Sequence, residues 1–273
     1  MKKFHLHLIS DSTGETINTV ARAVCAQFEG VQPVEHVYGL VRGQKPLMRA
    51  LEALEKNPGP VFFSMVDDEL RHRLEAACAQ LKIPCMSVLD PFIAPLGAYL
   101  KAEPDGKAGG QHVLDTDYFA RIAALDFTIK HDDGQHQDDL DEADVILTGV
   151  SRTSKTPTCM YLAHRGVKAA NVPLVPSVEP PPELLAVERP LVIGLVAGIE
   201  RLQQLRKNRL LTLHETDETD YIDPDVIEAE MTEAKRLFAR QSWPIIDVTR
   251  RSIEEVATAI MNLHQEHVEA RDR

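Results

Sequence analysis

Eight consecutive residues, Gly149-Val150-Ser151-Arg152-Thr153-Ser154-Lys155-Thr156, carry the sharpest chemical signal in the chain. They follow the apolar run 145–147, precede a helical pattern, and fall one residue short of the G-x-x-x-x-G-K-[ST] phosphate-binding loop, or P-loop. In such a loop, backbone N–H groups wrap phosphate oxygens at a helix N-terminus. The lysine adds a point positive charge, and the last hydroxyl, here that of Thr156, reaches a magnesium ion. Pro157 suits this placement, because the first turn of a helix loses nothing from a missing N–H. Ser154 is the departure: it stands at the second glycine of the pattern, where a positive φ would cost serine strain that glycine avoids. The alternative is a loop whose small hydroxyl residues merely cap the helix.

Two further clusters could do chemistry. His131-Asp132-Asp133-Gly134 opens an acidic stretch just ahead of the glycine loop. A run of charge is usually a solvated surface. Phosphoryl transfer, however, needs an acceptor for a hydroxyl proton and carboxylates that hold magnesium, and Asp132 and Asp133 are candidates for both. Ser10-Asp11-Ser12-Thr13-Gly14-Glu15-Thr16 lies between an apolar strand and a helix. Ser12 and Glu15 have capping-box spacing, which is the favoured reading; in the other, Asp11, Thr13 and Gly14 face a ligand at the carboxyl edge of a sheet. Arg201, Arg206, Lys207 and Arg209 read as an exposed basic helix face before phosphate contacts. Asp247, ending a strand, is a turn cap or a second metal-binding acid. His5 and His7 alternate along a strand, which points to packing or a rim position. The four cysteines lack close C-x-x-C spacing and read as small buried hydrophobes.

These groups need a frame, and the apolar pattern supplies one. The chain has 273 residues, 44% hydrophobic and 26% charged, enough for one large or two ordinary globular domains. Short apolar runs alternate with longer mixed segments, as in βαβ units that bury a parallel sheet. Strands are expected over 4–10, 34–41, 61–66 and 84–89, with helices over 15–28, 46–56 and 68–81. The glycine-rich segment 101–117 breaks the pattern and marks a boundary. A second series has strands over 144–148, 171–175, 191–195 and 245–248 and helices over 118–130, 157–164, 199–211, 224–240 and 253–266, with 131–144 as a loop. The fold class is α/β: an N-terminal doubly wound parallel-sheet domain (1–117), then a P-loop nucleotide-binding, kinase-like α/β domain (118–273). A net charge of −12 argues against a broad grip on nucleic acid or an anionic membrane. No apolar run approaches the roughly 20 residues that span a bilayer, and a reducing cytoplasm is the expected setting.

Four segments together, ISDSTGETINTVARA, ARIAALDFTIKHDDG, GVSRTSKTPTCMYLAHRGVKAANVPLV and WPIIDVTRRSIEEVA, resemble the bifunctional kinase–pyrophosphorylases that regulate pyruvate phosphate dikinase or phosphoenolpyruvate synthase. The resemblance runs nearly the whole length. It implies ADP-dependent phosphorylation of a threonine beside the target's catalytic histidine, which inactivates the target. It also implies a reverse reaction in which inorganic phosphate removes that phosphoryl group and releases pyrophosphate. The ISDSTGET and TIKHDDG forms look more like the dikinase regulators than the synthase regulators. Carried over, Gly149 to Thr156 would cradle the phosphates of ADP, with Lys155 on the transferred group, Arg152 adding charge and Thr156 near Mg2+. Asp132 or Asp133 would deprotonate the incoming threonine, a step commonly worth about 10²–10⁴-fold. The implied partner is the dikinase or the synthase, with a homodimer allowed for and nucleic acid and membrane excluded. The rivals are a simple P-loop nucleotide hydrolase or small-molecule kinase, and a nucleotide-sensing module without turnover.

Overall fold

The structure, a computed structural model, describes residues 1–110, 116–176, 178–213 and 220–271. The chain divides into two compact units, Met1–Val113 and Leu114–Arg273. The division falls in the glycine-rich segment 101–117, of which residues 111–115 lie outside the described residues.

In the first unit, β1 (Lys2–Ser10), α1 (Glu15–Cys25), β2 (Val31–Tyr38), α2 (Gln44–Lys56), β3 (Val61–Ser64), α3 (Asp68–Leu81), β4 (Cys85–Ser87) and α4 (Asp90–Leu100) alternate along the chain. The strands form a parallel sheet in the order β2-β1-β3-β4. Leu6, Leu8 and Ile9 of β1 are buried, as is Val61 of β3, because helices cover the sheet. Leu47, Ala50 and Leu54 of α2, and Leu70, Leu74 and Cys78 of α3, supply buried stripes at three- and four-residue spacing. The last helix, α4, was absent from the periodic pattern for a physical reason. Its sequence DPFIAPLGAYL buries no residue and leaves Phe92, Leu96, Tyr99 and Leu100 exposed, so no apolar stripe separates a core face from a wet one.

The second unit repeats the construction. Its elements are α5 (Thr116–Lys130), β5 (Val145–Gly149), α6 (Lys155–His164), β6 (Ala169–Pro173), α7 (Pro182–Ala186), β7 (Leu191–Val196), α8 (Ile199–Leu213), α9 (Pro224–Gln241), β8 (Ile245–Asp247) and α10 (Ile253–Arg271). The parallel sheet runs β6-β5-β7-β8, the same order relative to the chain as in the first unit. Val145, Leu147, Ile193 and Leu195 pack with Leu162, Ile227, Phe238 and Ile260 into one core. Full burial of a side chain such as Phe238 contributes about 1.5–3 kcal/mol. All eight expected strands occur, with ends displaced by a few residues. The segment 131–144 is not wholly irregular: Gln137–Glu142 forms a 3-10 turn. In both sheets the chain leaves the first strand toward opposite sides, which opens a crevice at the carboxyl ends between β1 and β3 and between β5 and β7. No helix among the described residues is long and apolar enough to cross a membrane.

Candidate active site

The glycine loop begins where β5 leaves the core. Gly149 has φ +150°, and a Cβ there would stand 2.5 Å from the Leu195 carbonyl oxygen and 3.2 Å from Thr153 Oγ1, so only glycine fits. Buried Thr153 closes the turn by donating from Oγ1 to the Val150 carbonyl at 3.0 Å. Arg152 (φ +71°) and Ser154 (φ +61°) both take the left-handed region. The serine in place of glycine therefore carries the strain anticipated for it, and the loop tolerates it. Ser154 is the N-cap of α6 yet makes no side-chain capping bond, so mere capping does not account for the hydroxyl residues. Lys155 is 6% exposed and folds back on the loop, its Nζ donating to the carbonyls of Gly149 (2.9 Å) and Val150 (2.8 Å). Burial lowers its pKa to about 8, against an opposing pull from Asp133.

The acidic motif meets this loop through β6. Helix α5 ends at Lys130, and His131, buried, bonds the Phe127 carbonyl through Nδ1 (2.7 Å) and Asp139 through Nε2 (2.6 Å). That bond holds the Asp139 carboxyl below its ordinary range. The chain then reverses through Asp133 (φ +51°) and Gly134 (φ +74°). Asn171 of β6 clamps the reversal: its N–H donates to the His131 carbonyl (2.9 Å), and its own carbonyl accepts from Gly134 (2.8 Å). The Asn171 side-chain Nδ2 faces Asp132 Oδ1 (2.6 Å), Thr156 Oγ1 (3.0 Å) and Asp133 Oδ1 (3.2 Å). Ionised carboxylates only accept, so the amide nitrogen must be the atom turned toward them. Thr156 in turn donates from Oγ1 to Asp132 Oδ1 at 3.0 Å. A cavity of about 520 Å³ opens over this cage, with Asp133, Arg152, Lys155, Thr156 and Asn171 in its wall.

Asn171 was not among the sequence candidates, although a signal existed. It is a single amide in the strand Ala169–Pro173, and a buried polar side chain in such a strand needs partners. The reading of Arg206 as part of an exposed basic face is corrected. Arg201, Lys207 and Arg209 are exposed, but Arg206 follows buried Leu202 by one helical turn and is itself wholly buried, paired with Glu230 at 2.6 Å. Its burial is possible because that carboxylate neutralises it.

In the first unit the Ser12–Glu15 capping box does not form. Helix α1 starts after Gly14 (φ +83°) without a side-chain cap. Ser12 is held elsewhere, its N–H on Ser10 Oγ (3.1 Å) and its carbonyl accepting from Leu40 (2.8 Å). Asp11 accepts from the Val66 N–H at 2.7 Å, tying the ends of β1 and β3 together. Asp11, Thr13 and Gly14 line a separate cavity of about 270 Å³ within that unit. Asp247 caps its own turn, accepting from both the N–H and the hydroxyl of Thr249, which keeps its carboxyl low. His7 is buried, stacked on His36 and bonded to the Asn57 carbonyl at 2.8 Å, a packing role. Cys78 and Cys159 are buried, Cys25 and Cys85 partly so, and all four are free thiols. Burial pushes the Cys159 thiol far up, away from nucleophile chemistry. Among the described residues, no three His, Cys, Asp or Glu side chains gather as a metal cluster.

The chain is similar to known proteins along nearly its full length. The model of the family described as kinase/pyrophosphorylase matches residues 6–261. A protein of Caulobacter vibrioides is 56% identical over 260 residues, covering 95% of this chain and 82% of the relative. One of Paramagnetospirillum magneticum is 51% identical, covering 99% of this chain and 87% of its own. One of Maricaulis maris is 52% identical, with 96% and 94% covered. All three are provisionally named pyruvate, phosphate dikinase regulatory proteins.

Proposed function

The chain belongs to the kinase/pyrophosphorylase family, and we propose that it reversibly inactivates pyruvate phosphate dikinase at an active-site threonine, with ADP as phosphoryl donor and inorganic phosphate as acceptor in reverse. The names of its relatives support the dikinase as target in preference to phosphoenolpyruvate synthase. The observation that carries the reading is the Asp132–Thr156–Asn171–Asp133 cage beside Lys155. It brings two motifs separated in sequence to one cavity lined by the carboxylate of Asp133, the cations Arg152 and Lys155 and the first turn of α6, which supports the reading.

Roles divide by position. Gly149 to Thr156 form the phosphate cradle, with Lys155 and Arg152 offsetting the charge on the transferred group. Thr156 Oγ1 and Asp132, 3.0 Å apart, are hard oxygen donors that would hold Mg2+. When bound, the ion would neutralise charge on the transferring phosphoryl. Asp133 lines the cavity, so it is the better placed base. In the kinase direction it takes the threonine proton as the hydroxyl oxygen bonds to the terminal phosphorus of ADP, and the bridging oxygen leaves with AMP. In reverse, a phosphate oxygen attacks the phosphothreonine phosphorus. Asp133 takes the proton of the attacking hydrogen phosphate and passes it to the leaving threonine oxygen, and pyrophosphate forms. One cradle serves both directions because the transferring group carries the same charge in each.

Incubating the purified chain with ADP, magnesium and dikinase should yield AMP together with phosphothreonine on the target. Phosphate and phosphorylated dikinase should yield pyrophosphate and restore activity. Nucleotide consumed without any target, or orthophosphate released without added phosphate, would favour a simple hydrolase or small-molecule kinase and defeat the proposal.

A further inference from the structure

Tyr221 enters the site from a segment with no recognisable motif, the 3-10 turn Asp220–Ile222 just before α9. Its hydroxyl lies 2.9 Å from Ser151 Oγ and accepts from Arg152 Nε at 3.4 Å. The ring is not free to follow the loop. Buried Arg206 stacks its guanidinium 4.7 Å from the ring centre and donates to the Tyr221 carbonyl at 3.0 Å. The same guanidinium donates to both Glu230 oxygens (3.2 and 2.6 Å) and, more loosely, to the Ser151 carbonyl at 3.4 Å. One buried ion pair thus holds the tyrosine and the start of the P-loop in a common frame.

The consequence falls on Arg152. The Lys155 ammonium is occupied by two loop carbonyls, whereas Arg152 is exposed and its only hydrogen bond among the described residues is the one through Nε to Tyr221. Holding a guanidinium by Nε leaves both Nη groups as a fork for two phosphate oxygens. A long side chain already oriented loses less rotamer freedom when it grips a ligand. We propose that Tyr221 is a positioning residue that presents the Arg152 fork to the diphosphate of the nucleotide, with Arg206 and Glu230 as its anchor. This rests on the reading of the P-loop as the ADP site.

The Tyr221→Phe change keeps the ring over Arg206 and removes only the hydroxyl. Calorimetric titration of ADP into the full chain should show affinity weakened about three- to tenfold, as expected for one net hydrogen bond. KM for ADP should rise more than kcat falls. In an Arg152→Ala or Arg152→Lys background, which lacks the Nε donor, adding Tyr221→Phe should change affinity no further. Equal affinity of wild type and Tyr221→Phe would overturn the positioning role alone, as would the same fold-loss in both backgrounds. Failure of the wild type to bind ADP would overturn the site reading as well.

Discussion

Lys155 offers the most quantitative test, because its burial and its proposed task pull in opposite directions. A surface lysine, with its ordinary pKa of 10.5, would keep its charge well past pH 9, but the 6% exposed Lys155 is lowered to about 8. If only the ammonium form grips phosphate, the competent fraction falls from ~90% at pH 7 to ~10% at pH 9. ADP affinity should then drop about tenfold over that interval and about tenfold again by pH 10. The second phosphate ionisation, with a pKa of about 6, is nearly complete at pH 7 and complete above pH 8, so the loss at higher pH belongs to the protein. Bound phosphate favours the charged form, so calorimetry in two buffers of different ionisation enthalpy should report uptake of nearly one proton per ADP at pH 9. An affinity that stays flat from pH 7 to 9.5 would refute the argument, as would a steep loss retained in Lys155→Arg, whose side chain never deprotonates. Fold stability responds with its own sign. The folded pKa lies below the unfolded one, so between pH 8 and 10.5 the unfolded chain binds more protons and this group's contribution rises with pH. Below pH 8 burying the charge costs its full amount, on the order of 3 kcal/mol for the gap between 10.5 and about 8.

Asn171→Asp should place a third carboxylate against Asp132 and Asp133 in place of the amide donor they share, and so lower stability in chemical denaturation by more than Asn171→Ala does. Asn171→Ala should instead cut kcat on the order of 10²-fold by letting the base move, and an unaltered rate would show that the amide positions nothing. Ser154→Gly should stay within about 1 kcal/mol of wild type in chemical denaturation, since relief of left-handed strain and the added entropy of the unfolded chain nearly cancel, whereas Ser154→Val should lose about 1–3 kcal/mol. Arg206→Ala should destabilise the second unit by about 3–5 kcal/mol by leaving Glu230 buried without its partner, and Arg206→Met combined with Glu230→Leu should recover most of that loss; a single-variant cost below about 1 kcal/mol would contradict the pairing.

Much of the frame was legible from local pattern. The stripe Leu70, Leu74, Cys78 marks α3 because three- and four-residue spacing is what one buried helix face requires. The strand–loop–helix run around Lys155 was legible because such a turn is built from neighbouring backbone, and Gly149 stands where no Cβ fits. Helix α4 stayed hidden because no face of it is buried, and the capping box at Ser12 failed because that residue is tied to the turn after β2. Residue order alone thus determined the α/β alternation, the loop and the acidic motif as separate pieces. Which aspartate meets Thr156, that Asn171 joins them, that Arg206 lies inside and not on a wet face, and that Tyr221 reaches Arg152 were decided by tertiary structure. These partners stand 15 to 69 residues apart. Their meeting depends on β6 lying beside β5, and on α8 and α9 packing behind the loop, arrangements set by the whole buried core and not by any local run of side chains.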